Sequence, residues 1–261
     1  MDEPWRSQFV SLIADNAASR DIHDEATTAG FANDRGGASP AFIQREIERV
    51  ATHTRSLIPL LASVGRARHI LDFGCGTGGT TLALATSLSL SPAKVVGVDL
   101  NARAIEAARV RAESFKLAMP TVEMRAIEPG ALPFEDASFD LAVTVSVLEF
   151  ITSPDNRRAA VEELARVVRP GGHLFIATPR PWLREYHSGR WLGDLVRKPG
   201  SPWSSSTRQL RGWLPGWERL AIVDELTGLA PARVQPILRA GAGRVLPHVT
   251  RWQKLLLKKP A

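Results

Sequence analysis

Residues 70–79 read Ile70-Leu71-Asp72-Phe73-Gly74-Cys75-Gly76-Thr77-Gly78-Gly79. The short run His69-Ile70-Leu71 that enters this stretch predicts a buried parallel strand. The strand runs into Asp72 and then into glycines at 74, 76, 78 and 79. An amphipathic helix pattern follows at once in Thr80-Thr81-Leu82-Ala83-Leu84-Ala85. Strand, glycine turn and helix in that order build a ligand cradle. Glycine lets the backbone turn sharply and lets a ligand approach without meeting a Cβ. The helix start behind the turn offers unpaired N–H groups.

Two ligand classes use such a turn. Gly74-x-Gly76-x-x-Gly79 satisfies the dinucleotide pattern literally, which alone carries little weight. Asp72 argues the other way. It lies two residues before the first glycine, where a dinucleotide fold carries an apolar strand residue. A carboxylate at a strand end needs a partner or bears a desolvation cost. The ammonium and sulfonium of S-adenosylmethionine would supply one; a hydrogen bond from the glycine turn is the simpler alternative.

Val95-Val96-Gly97-Val98 predicts a second buried strand, ending at Asp99. Asp99 stands 20 residues after Gly79, the distance at which a ribose-binding acid follows a glycine turn. It could accept from two ribose hydroxyls, and Leu100 could pack on an adenine face. Asp99 could equally cap the next helix, predicted over Ala102–Phe115 with alanines and Ile105 on one side and arginines on the other.

Three further motifs follow in order. They are Val98-Asp99, Leu132-Pro133-Phe134-Glu135-Asp136-Ala137-Ser138-Phe139-Asp140, and Leu164-Ala165-Arg166-Val167-Val168-Arg169-Pro170-Gly171-Gly172 ahead of a strand over His173–Ala177. With Leu71–Gly78 they resemble the class I S-adenosylmethionine-dependent methyltransferases, in particular the small-molecule group related to ubiquinone and menaquinone biosynthesis methyltransferases. The resemblance covers roughly residues 68–180. It implies that Gly74, Cys75, Gly76 and Gly78 line the methionine and ribose part of S-adenosylmethionine. It implies that Asp72 faces the amino group, Asp99 the ribose hydroxyls and Glu128 the adenine amino group, while the Thr144 carbonyl meets the methionine ammonium. Two positions depart from the family. Residue 129 is Pro, which has no N–H to offer the adenine ring, so Gly130 would take over that contact. Phe150 stands where many relatives have a His after Leu-Glu, leaving Glu149 as a bridge between strand and helix.

At 261 residues the chain is one domain with elaborations, long enough for a full core. A lone cysteine excludes an internal disulfide, and Cys75 fits the turn as a small residue rather than a nucleophile. No His/Cys cluster has zinc spacing, so no metal is expected. The start, Met1-Asp2-Glu3-Pro4-Trp5-Arg6, lacks a basic flank before an apolar stretch, so no signal peptide is expected. No run approaches membrane-spanning length. The expected location is cytoplasmic, with peripheral contact at the inner membrane face. Residues 180–261 carry a net charge of +10 and six of the seven tryptophans, against −4 for residues 1–179. Such asymmetry suggests an anionic partner, either an acceptor or a membrane surface, with nucleic acid less favoured.

Along the chain, residues 1–64 predict a helical cap, with one helix near Gln8–Ala18 and another opening at Ser39-Pro40 and keeping apolar spacing to about Leu61. In relatives such a segment covers the cofactor. Residues 65–180 alternate strand and helix, with Asp155 expected to cap the helix that runs to Val168 and Pro170-Gly171-Gly172 to stop it. Five such strands imply an α/β fold with helices on both faces of a parallel sheet. The resemblance implies a Rossmann-like three-layer sandwich with seven strands ordered 3-2-1-4-5-7-6, the seventh antiparallel. Residues 181–261 hold a proline-broken lid or insertion, a sixth strand over Trp217–Glu225, a seventh over Ala232–Arg239, and a basic amphipathic helix within 244–259. That helix docks on the domain or, through Thr250–Lys259, rests on a membrane.

Methyl transfer from a sulfonium is a direct displacement, and positioning supplies much of its rate. An oxygen nucleophile often needs a base. The loop after the fifth strand carries Glu185-Tyr186-His187, where Glu185 could orient His187 as that base. The expected function is a methyltransferase acting on a small-molecule, lipid-linked or sugar-linked acceptor, most simply at oxygen. The rivals are an RNA methyltransferase and a cofactor-binding protein without transferase activity. A dehydrogenase fits least. The oligomeric state is not legible.

Overall fold

The computed structural model describes residues 4–18, 40–116, 120–151, 153–179, 205–225 and 252–261. Seven strands form one sheet in the order β3-β2-β1-β4-β5-β7-β6. They are β1 (His69–Phe73), β2 (Lys94–Asp99), β3 (Thr121–Ala126), β4 (Phe139–Val145), β5 (Val168–Pro179), β6 (Glu218–Glu225) and β7 (Trp252–Lys258). Neighbours among β1 to β5 pair in parallel, and β7 runs antiparallel to both β5 and β6. This is the expected order, reversed strand included.

The described helices are α1 (Pro4–Ala18), α2 (Pro40–Ser56), α3 (Gly79–Ala85), α4 (Ala102–Phe115), α5 (Pro154–Val167) and the short α6 (Thr207–Gly212). A 3-10 segment, Ile58–Val64, continues α2 toward the sheet. Two cores flank the sheet. One joins Leu71, Val98, Ala142 and Leu174 to Leu164 of α5 and Leu210 of α6. The other joins Ile70, Val143 and Phe175 to Leu84 of α3 and to Leu57 and Leu61. No described helix is long and apolar enough to cross a membrane.

Several expectations are corrected. The seventh strand is Trp252–Lys258, inside the stretch read as a basic amphipathic helix; Ala232–Arg239 lies outside the described residues. Leu255, Leu256 and Leu257 are buried in sequence, with Leu255 and Leu257 in one core and Leu256 in the other. An interior strand covered on both faces needs such a continuous apolar run, and the flanking lysines mimic a helical polar face. Residues 252–258 are therefore occupied within the sheet and cannot rest on a membrane. Lys259, just beyond, donates from Nζ to the carbonyls of Ala165 (2.6 Å) and Val168 (2.7 Å) at the end of α5, where a cation is favoured.

Ser153, not Asp155, caps α5: its hydroxyl accepts from the Asn156 N–H. The helix ends at Val167, and Pro170-Gly171-Gly172 lies within β5 at a register shift between Phe139 and Leu141 of β4. All seven residues of α3 are buried, so it is not amphipathic. On α4, Arg111 is buried rather than on a solvent face. Its guanidinium lies over the Phe9 ring, 4.1 Å from the centroid, and donates to the Glu46 carbonyl. That one side chain fastens α1 and α2 to α4.

Two sequence motifs fasten each other. Arg166 of α5 donates from Nη1 to the Phe134 carbonyl (2.8 Å) and to Asp136 (2.8 Å), and from Nη2 to the Leu132 carbonyl (3.0 Å) and to Glu163 (2.8 Å). Glu163 in turn accepts from the Leu132 N–H at 2.8 Å. Asp140 accepts from the Arg68 and His69 N–H groups and pairs with Arg169 at 2.5 Å, joining the starts of β1, β4 and β5.

Candidate active site

The glycine turn leaves β1 at the carboxyl edge of the sheet and folds back onto β2. The N–H groups of Gly74 and Cys75 both donate to the Val98 carbonyl, at 2.8 and 2.9 Å. Gly74, Gly76 and Gly78 all have positive φ, which disfavours any side chain there. Their surroundings differ. A Cβ at Gly74 would strike the Val147 side chain, and one at Gly78 would meet Met124 and Ala108. Of the four turn glycines only Gly76, at φ +52, has nothing within 4 Å of that position among the described residues. The turn opens at Gly76.

Asp99 holds this point. Its Oδ2 accepts from the Gly76 N–H at 2.8 Å and its Oδ1 from the Asn101 N–H at 2.9 Å. Asn101, rather than Asp99, caps α4 by accepting from the Ala104 N–H. A carboxylate has about four acceptor sites, and these two N–H donors account for two of them. Leu100 beside it is 52% exposed, unusual for a large apolar side chain here.

Asp72 is buried at the end of β1 and accepts from the Thr81 hydroxyl at 2.6 Å. Burial pushes its carboxyl up to about 7; the Thr81 hydroxyl opposes this and the Asp99 charge adds to it. The partner is thus the Thr81 hydroxyl of α3, not the glycine turn considered from sequence. Burial also pushes the Cys75 thiol up, with Asp72 and Asp99 adding to it, so Cys75 is no thiolate nucleophile. The Thr144 hydroxyl, fully buried on β4 beside Phe73, has no hydrogen-bond partner among the described residues. Glu149, also buried, accepts from the Thr178 hydroxyl at 3.3 Å, which bridges the segment after β4 to β5.

The structure brings Asp72, Gly74, Cys75, Gly76, Gly78, Asp99 and Leu100 to one edge. Ile127 N donates to the Asp99 carbonyl at 3.0 Å, which sets Glu128 just past that edge, exposed. Glu185 and His187 lie outside the described residues, as do Trp182, Trp191 and Trp203.

Sequence reasoning missed the contacts from α2. Glu46 accepts from the Thr77 hydroxyl at 2.6 Å and pairs with Arg49, whose stem lies against Gly79. His53 Nδ1 meets the Thr80 hydroxyl at 2.8 Å. Burial lowers His53 to about 4, with Arg49, Lys254 and Arg111 adding to it, so the ring is neutral at pH 7. A signal was present: Glu46 falls within the apolar stripe of Ile43, Ile47 and Val50, where a carboxylate needs a reason. Val147 carried no signal.

A family model described as a methyltransferase domain matches residues 71–176. The O-methyltransferase resE of Aspergillus sclerotiorum is 32% identical over 212 residues, covering 74% of this chain and 72% of that one. A ubiquinone biosynthesis O-methyltransferase of Alkalilimnicola ehrlichii is 30% identical over 169 residues, covering 62% and 64%. Four other curated relatives are matched over 29% to 52% of their length, so the chain spans about half of them or less. Among solved structures, the N-methyltransferase NodS of Bradyrhizobium japonicum WM9 in complex with S-adenosyl-L-homocysteine aligns with a TM-score of 0.55 at 18% identity, covering 81% of this chain and 87% of that one. At such identity the likeness is one of fold.

Proposed function

The chain belongs to the class I S-adenosylmethionine-dependent methyltransferases, and from that premise we propose that it moves a methyl group to an oxygen of a small-molecule, lipid-linked or sugar-linked acceptor. The observation that carries the proposal is the open position over Gly76, a left-handed residue hung on Asp99 at the carboxyl edge. Ligands of such sheets sit at that edge. The oxygen acceptor is supported by resE and the ubiquinone relative, both named O-methyltransferases.

The residues present fit the cofactor. The space over Gly76 would admit its methionine and ribose part, and Asp99, which holds the Gly76 N–H, would accept from the ribose hydroxyls. Leu100 offers an apolar face to adenine. Asp72, once ionised, would balance an ammonium. Bound S-adenosylmethionine supplies an electrophilic methyl group on a sulfonium. The protein's part is to hold the acceptor in line, exclude water and take up a proton. β5 ends at Pro179 at the same edge, and from the sequence beyond it His187 would accept the acceptor's proton while Glu185 orients its ring.

Incubating the protein with methyl-labelled cofactor and cell extract, followed by mass spectrometry, tests the proposal. A labelled lipid, glycan or small metabolite supports it; labelled RNA, or binding without any transfer, overturns it. His187→Ala should lower turnover by roughly 10²-fold or more with cofactor affinity nearly intact. Wild-type turnover in that variant would remove His187 from the chemistry.

A further inference from the structure

At the amino edge of the sheet, opposite the glycine turn, a cavity of about 380 Å³ is lined by Arg66, Asp140, Arg169, His173 and Lys258. From His173 to Thr178 along β5 is five residues, roughly 16 Å at about 3.3 Å per residue. The cavity is therefore separate from the cofactor edge. Its one lining carboxylate is already engaged: Asp140 pairs with Arg169 Nε and accepts two backbone N–H groups. Arg66 and Lys258 are exposed and make no ion pair among the described residues. Lys258 stands in register with His173 on one side and Glu218 on the other. Burial lowers His173, with Lys258 and Arg169 adding to it, so the ring sits neutral among cations.

We propose that this cavity binds the phosphate group of a small phosphorylated metabolite, held by Arg66, Arg169, Lys258 and His173. The chemistry follows from the residue types. Arginine presents a planar fork of N–H donors that matches phosphate oxygens, lysine a point charge. A dianion in the cavity offsets the repulsion that Lys258 and Arg169 exert on His173, so His173 takes up a proton as the ligand binds. The volume is larger than a bare phosphate needs, and Val64 and Leu220 give it apolar wall for a carbon skeleton. The proposal does not rest on the methyl acceptor, since the acceptor must lie at the other edge.

The test uses the full chain at constant ionic strength, with chloride as balancing ion so that screening is unchanged. Inorganic phosphate and glycerol 1-phosphate are titrated by calorimetry, while the His173 ring is followed by NMR and assigned by its loss in His173→Gln. Saturable binding by about 10 mM, with the His173 resonance moving toward its protonated position, supports the site. Arg66→Ala with Lys258→Ala should weaken it by roughly tenfold or more. Glycerol 1-phosphate binding at least as tightly as inorganic phosphate points to a metabolite; tighter inorganic phosphate points to the free ion as ligand of the same site. No saturation, an unmoved His173 resonance, or unchanged affinity in the double variant overturns the proposal. Affinity for S-adenosylmethionine, measured alongside, keeps this outcome distinct from any failure at the cofactor edge.

Discussion

Asp72 sets the electrostatics of the glycine turn. Its pKa is about 7 in the folded protein against an ordinary 3.8. Between those values the fold holds a proton that the unfolded chain has lost. The group's contribution to stability is therefore full below about pH 4 and is lost as pH rises toward 7. A cation placed beside it favours the ionised form. Cofactor binding near neutral pH should thus expel a proton from Asp72. Calorimetry at about pH 6.5 in two buffers of different ionisation heat reads this directly. The expectation is proton release in the wild type and none in Asp72→Asn; equal heats in both buffers for the wild type would show that no cation reaches Asp72. At this scale the sequence was informative where chemistry demands a residue type. Asp72, Gly76 and Asp99 could be picked out because a strand-end acid and a left-handed glycine have few other uses. Val147 could not, because its contact with Gly74 is made by folding and leaves no trace in composition.

Helix α2 is the element that covers the turn, through Glu46, Arg49 and His53. We propose that residues 1–64 act as a cap whose hold depends on pH through His53. That ring titrates at about 4 in the fold against 6.5 when unfolded. The unfolded chain binds the extra proton first, so stability is full above about pH 6.5 and is lost as pH falls toward 4, by on the order of 3 kcal/mol. Hydrogen exchange on α2 should quicken between those limits before the sheet loosens; protection of α2 that is unchanged at pH 5 would contradict the role given to His53. Most elements were legible. β1, β2, β6 and α4 fall where their patterns place them, because strand and helix periods differ plainly there. β7 was not, because Leu255-Leu256-Leu257 with a lysine at each end satisfies a helical stripe as well as a doubly buried strand. Ser153 was passed over for Asp155 because both residue types cap helices and stand two apart.

For the molecule as a whole, β7 matters more than its terminal position suggests. It pairs on both sides, with β5 and with β6. Leu256 is 1% exposed within the core beneath α3. Leu256→Ala should cost about 2–5 kcal/mol of stability, read by thermal or denaturant unfolding; a change within experimental scatter would place β7 outside the folding unit. The basic charge of residues 180–261 divides accordingly. Lys258 lines the amino-edge cavity and Lys259 closes α5, while much of the remaining charge lies outside the described residues. Fold order was readable at this scale because four motifs in sequence carry the family resemblance, and the resemblance implies one topology; the acceptor was not, since no motif in the chain encodes it. The central claim is that the turn at Gly76 and Asp99 holds S-adenosylmethionine. Calorimetric titration of the purified chain with S-adenosylmethionine, its demethylated product and NAD tests it. The first two should bind and NAD should not, and Asp99→Ala should weaken them more than tenfold, about 1.5–3 kcal/mol. NAD binding without S-adenosylmethionine binding, or unchanged affinity in Asp99→Ala, would contradict the account.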